Sequence, residues 1–136
     1  MIVSSIQLKP EIEQLNNLNE WISSLDLDER IDKNKLQLIC EEVFINIVSY
    51  AHTALAVSDE DCIEIEIGFM ENKFILRFSD HGVEFNPDLV PYPKFNEALE
   101  DRQIGGLGWY LIRHYMDFVE YKRIANKNVL YLAKQL

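Results

Sequence analysis

The sequence has little of what several specialised folds and functions require. Its two cysteines, Cys40 and Cys62, lie far apart with no C-x-x-C spacing, which excludes a disulfide scaffold and a thiolate zinc site. They read as reduced thiols filling apolar space. The three histidines, His52, His81 and His114, show no pair at ligand spacing, so no zinc site is read from them either. No apolar run approaches the ~20 residues of a membrane span. Met1-Ile2-Val3-Ser4-Ser5 lacks the basic segment and apolar stretch of a signal peptide, so the expected location is cytoplasmic, with no membrane contact. A G-x-x-x-x-G-K-[ST] phosphate loop is missing as well.

Basic charge is also scarce. The formal net charge is −10, which argues against direct nucleic-acid binding, since phosphate contacts need a basic surface. The imbalance is confined to one half. Residues 1–68 carry 14 acidic and 4 basic side chains, and residues 69–136 carry 9 of each. The second half therefore repels an anionic ligand less, although an acidic surface also serves solubility. The 136 residues fit a single domain over 1–136, and 48% hydrophobic with 26% charged residues is ordinary for a globular chain.

Periodicity supplies the elements. Residues 2–8 read as a strand, and Pro10 opens a helix over about 10–24. Asp32 is placed to cap a second helix, about 33–55. Leu36, Cys40, Val43, Ile47, Ala51 and Leu55 form one apolar row along it, widened by Ile39, Phe44, Ile45 and Val48. Such a helix is buried, which makes Glu42 and Asn46 anomalous. At i and i+4 they stack on one side, where a carboxylate needs a partner.

Residues 62–70 and 73–79 alternate with period two and form a hairpin about Glu71-Asn72. Counting by twos from Phe78 reaches Asp80, which then points into the layer where the second helix packs. Pro87, Pro91 and Pro93 break any long element after it. The stretch of about 86–104 reads as a lid loop, since loops beyond ~12–15 residues are usually functional or disordered. A helix over about 108–116 and strands over about 117–124 and 128–134 follow. The order β-α-α-β-β-lid-α-β-β predicts an α/β (α+β) two-layer sandwich: a mixed five-stranded sheet with about three helices on one face.

Three features could converge on one site. They are Glu42 with Asn46, Asp80 with Gly82, and the turn Gly105-Gly106-Leu107-Gly108 before a helix. Each alone is more often a polar helix edge, an ordinary turn or a plain helix start. Together they suit a nucleotide bound with magnesium. Unpaired N–H groups at a Gly-rich helix start take phosphate oxygens. Asn46 offers a neutral oxygen to Mg²⁺, which needs few protein ligands. Asp80 can accept from an exocyclic amine such as adenine's, and Glu42 can take a proton from an attacking hydroxyl or water.

These segments resemble a known family. Glu42-Val43-Phe44-Ile45-Asn46-Ile47-Val48-Ser49-Tyr50-Ala51 is similar to the N box of the GHKL ATPase superfamily. Asp80-His81-Gly82-Val83-Glu84-Phe85-Asn86-Pro87 resembles the D-x-G-x-x-F-x-P box of bacterial anti-sigma factor serine kinases. Gly105-Gly106-Leu107-Gly108-Trp109-Tyr110-Leu111-Ile112-Arg113 resembles the third box, and residues 116–121 and 128–130 follow the same pattern. Glu84 stands where the wider superfamily often has a second glycine, a departure common in the anti-sigma branch.

The resemblance implies a Bergerat-type fold that binds ATP and Mg²⁺ under a mobile lid. It implies Glu42 as catalytic base, Asn46 as metal ligand, Asp80 and Gly82 at adenine, and Gly106 and Gly108 at the phosphates. Arg102 resembles a lid residue that approaches the phosphates. The implied reaction moves the γ-phosphoryl group of ATP to a serine or threonine of a STAS-type anti-anti-sigma protein. A sigma factor is a further implied partner, and such proteins are often homodimers. Two alternatives stand beside this kinase. One is a non-catalytic nucleotide-dependent binding module, and the other an ATP hydrolase or histidine-kinase-like catalytic fragment.

Overall fold

Strand alternation and helix capping account for most of the architecture in the computed structural model, which describes residues 1–51, 61–87 and 106–136. Strand β1 (Ile2–Leu8) leads through a short 3₁₀ turn (Ile12–Gln14) into helix α1 (Leu15–Ser24). Helix α2 (Lys33–Asn46) continues as a π turn over Ile47–Ala51. Strands β2 (Ile63–Met70) and β3 (Lys73–Asp80), helix α3 (Gly106–Tyr115), and strands β4 (Phe118–Ile124) and β5 (Lys127–Gln135) complete the described chain.

Asp32 begins α2 as expected. Its carboxylate accepts from the N–H groups of Asn34 and Lys35 at 2.9 and 3.2 Å, satisfying two of the donors a helix start leaves unpaired. Asp32→Ala is therefore expected to lower stability by about 1 kcal/mol, read from the shift of a urea unfolding midpoint at constant slope.

The sheet order is β1-β2-β3-β5-β4. The side chains of Ile63, Ile65 and Ile67 meet Phe74, Leu76 and Phe78 on one buried face. Leu36, Ile39, Cys40, Val43 and Phe44 of α2, with Trp109 and Ile112 of α3, belong to the same core. Burial pushes the Cys40 thiol far up, so it stays protonated and inert. On the opposite sheet face Arg77 Nε donates to Glu66 Oε1 at 2.7 Å. The hairpin turns place Glu71 with Asn72, and Ala125 with Asn126, at positive φ, as two-residue turns between twisted strands require.

The two-layer α/β sandwich is the one expected. The sheet departs from expectation in being antiparallel at every pairing among the described strands, not mixed. The reason is topological. Two helices separate β1 from β2, so the chain returns with its direction reversed. The single described helix between β3 and β4 leaves those strands running the same way, but β5 inserts between them and pairs antiparallel with both. The second helix is also shorter as an α-helix than the periodicity suggests. It widens to a π turn after Asn46, residues 52–55 of the expected helix lie outside the described residues, and the carbonyl of Ala51 accepts from Val83 N–H at 3.0 Å, docking the loop after β3.

Candidate functional site

The polar groups of the site lie where apolar periodicity would place core. Asn46 ends α2 on its inward side and is 3% exposed. Glu42, one turn earlier, is half-buried and accepts from Asn46 Nδ2 at 3.2 Å through Oε1. Burial pushes the Glu42 carboxyl above its ordinary range, and the Asn46 hydrogen bond pulls partly against this.

The first turn of α3 comes directly against Glu42. A Cβ placed on Gly108 would overlap Cγ, Cδ and Oε2 of Glu42, so glycine is what lets the Glu42 side chain lie here. Gly106 and Leu107 lie in the same turn of α3. Arg102, Gly105 and the lid from residue 88 to 104 lie outside the described residues.

Asp80 ends β3, in phase with Phe78, and is 2% exposed. Its Oδ1 accepts from Gly82 N–H at 2.8 Å, closing a tight turn after the strand. Asp80, Asn46 and Trp109 line one pocket with Val43, Phe78 and Phe85. Its room is about 20 Å³, enough for about one water. The indole N–H of Trp109 is buried with no hydrogen-bond partner among the described residues.

The structure gives a place in the site to residues that the motifs leave without a role. Asn128 lies directly across from Asp80 in the β3–β5 register and is 5% exposed. It donates to Asp80 Oδ1 at 3.1 Å and to the Val83 carbonyl at 2.8 Å. It accepts from Phe85 N–H at 3.1 Å and from the Tyr121 hydroxyl at 2.6 Å. Burial raises the Tyr121 phenol, which keeps its O–H as a donor. Arg123 Nη1 donates to the Gly82 carbonyl at 2.7 Å. One signal was available in the sequence: Asn128 falls in phase with Leu130 and Leu132, a polar residue on an apolar strand face. On the other side of the loop, Tyr50 stacks on Phe85 at 4.9 Å between ring centroids.

Three chain segments distant in sequence thus present a carboxylate beside a carboxamide, a second buried carboxylate, and a glycine-bearing helix start. No group of three or more metal-binding side chains occurs among the described residues, and none of their helices is long and apolar enough to cross a membrane.

Comparison with known proteins bears on the family and the fold. The chain is 29% identical over 116 residues to the serine/threonine-protein kinase BtrW of Bordetella bronchiseptica, covering 83% of this chain and 80% of that protein. Its fold is similar to that of the histidine kinase AdeS of Acinetobacter baumannii, with a TM-score of 0.51 at 16% identity, covering 99% of this chain and 68% of that one. The histidine kinase-like ATPase domain family matches residues 8–134, nearly the whole sequence, and the chain belongs to that family.

Proposed function

We propose that this protein is an ATP-dependent serine/threonine kinase of a partner-switching system. Its substrate would be a STAS-type anti-anti-sigma protein, and a sigma factor would be its other partner. The observation that carries the reading is the Glu42–Asn46 pair, held at 3.2 Å on α2 beside the pocket that Asp80 lines. A relative named as a serine/threonine-protein kinase supports the same choice. The site of action would be the cytoplasm, and the protein would act as a homodimer.

The donor set fits ATP with magnesium. Asn46 spends its Nδ2 on Glu42, and its Oδ1 would be the neutral oxygen for the metal. Bound magnesium would offset charge on the phosphate oxygens. Asp80, with Gly82 beside it, would accept a hydrogen bond from the adenine amine. The N–H groups at the start of α3, with Gly105, Gly106, Leu107 and Gly108, would hold phosphate oxygens, and Arg102 would approach them from the lid.

Glu42 would take the proton of the acceptor hydroxyl as that oxygen bonds to the γ-phosphorus. The bond from the γ-phosphorus to the bridging oxygen breaks, and ADP leaves with the electron pair. Such transfers depend mainly on positioning and electrostatics, which suits a site whose groups are fixed by packing.

The test is transfer from γ-labelled ATP, with Mg²⁺, to STAS-type proteins recovered with this chain from its source cell. Label on serine or threonine is expected. ATP binding without transfer would instead identify a binding module, and steady phosphate release without a protein acceptor would identify a hydrolase.

A further inference from the structure

We propose that Asn128 is a positioning residue that sets base selectivity by orienting Asp80, with Tyr121 holding Asn128 in turn. The proposal rests on the reading of Asp80 as the adenine acceptor.

An asparagine side chain has two donor hydrogens and an oxygen with two acceptor sites. Asn128 uses all four, on Asp80 Oδ1, the Val83 carbonyl, Phe85 N–H and the Tyr121 hydroxyl. Every one of these bonds reaches Asp80, the loop after it, or the neighbouring strand β4. The Asp80 Oδ1 atom is thereby fixed from two directions, by Gly82 N–H within the loop and by Asn128 Nδ2 across the sheet. A carboxylate held this way cannot turn about its terminal bond without losing both donors in a largely buried site.

The β3–β5 register explains why this residue serves. Asp80 and Asn128 are direct cross-strand partners, and such neighbours have Cβ atoms about 5 Å apart on one face. Tyr121 pairs with Leu130 in β4–β5, close enough to bring its hydroxyl onto Asn128 Oδ1. Arg123 adds a bond from the same hairpin to the Gly82 carbonyl. The last hairpin therefore acts as a bracket on the Asp80–Phe85 loop, and Asn128 is the part of it that touches the carboxylate.

Orientation matters for selectivity because adenine presents an amine donor where hypoxanthine presents a carbonyl acceptor. A fixed carboxylate accepts from the first and repels the second. A carboxylate free to turn loses the first advantage, and the preference for adenine falls.

The experiment measures binding of ATP and of ITP by titration calorimetry, with thermal melts as the folding control. The unaltered chain is expected to prefer ATP. Asn128→Ala is expected to weaken ATP binding by ~10-fold, in line with loss of a hydrogen bond to a charged group, and to leave ITP binding within ~2-fold. Where that variant is too unstable, Tyr121→Phe removes one bond to Asn128 and is expected to lower the ATP preference by ~3-fold with its melt retained. Equal weakening of both nucleotides would show a purely structural role and overturn the proposal, as would unchanged preference in a folded variant. Equal binding of ATP and ITP by the unaltered chain would refute the reading of Asp80 itself, and the proposal with it.

Discussion

Glu42→Gln is expected to lower phosphoryl transfer by roughly 10²–10⁴-fold while ATP affinity changes little. Glutamine keeps an oxygen that can accept from Asn46 Nδ2, so the local geometry is retained and only the base is lost. The carboxyl of Glu42 is held above its ordinary range, chiefly by burial. Its neutral form is therefore the one that folding favours. The stability that this group contributes is full below the ordinary carboxylate value and is lost as pH rises through the raised one. At neutral pH the substitution should leave the melting temperature equal or higher, and the difference should shrink on acidification. Full transfer by the glutamine variant would remove Glu42 from the mechanism. A lower melting temperature at neutral pH would show that Glu42 serves the fold.

Gly108→Ala is the second large effect. The new Cβ would overlap Cγ, Cδ and Oε2 of Glu42, so the carboxylate must swing away. A displacement of about 1 Å at a reacting group can cost about 10²-fold in rate. Stability should change far less. Crowding costs about 1–3 kcal/mol, but alanine gains about 1 kcal/mol over glycine inside a helix, and a half-buried side chain can move toward solvent. The expected variant folds, binds ATP and transfers poorly. A double-mutant cycle with Glu42→Gln identifies the route. If the alanine acts through Glu42, it should have little further effect on transfer once Glu42 is already glutamine. Additive losses would place the role of Gly108 at the phosphates alone.

These two predictions draw on different kinds of information. Glu42 and Asn46 were visible in the sequence because four residues along a helix is one turn, and a carboxylate in an apolar row is conspicuous. Asp80 was visible because strand side chains alternate and Phe78 fixes the phase. The contact between Gly108 and Glu42 was not visible. It depends on how closely α3 approaches α2, which the spacing of residues within either helix does not encode. The π turn after Asn46 is hidden in the sequence for a related reason. The apolar row continues through Ile47 and Ala51, and a change in helix width leaves little trace in a hydrophobic pattern.

Asn128 shows the same limit from the other side. Its polarity on the face of Leu130 and Leu132 was readable, but its partner was not, since Asp80 lies 48 residues earlier and meets it only through the β3–β5 pairing. The mixed sheet expected from element order failed because the order of elements does not say that β5 inserts between β3 and β4. Backbone geometry repeats every 3.6 residues in a helix and every two in a strand, so the sequence by itself determined which elements form and which side chains share a face. Which faces meet depends on long-range pairing and on side-chain volume at each crossing. Only the tertiary structure decided that Glu42 lies on Gly108, that Asn128 holds Asp80, and that both arrangements border the same core.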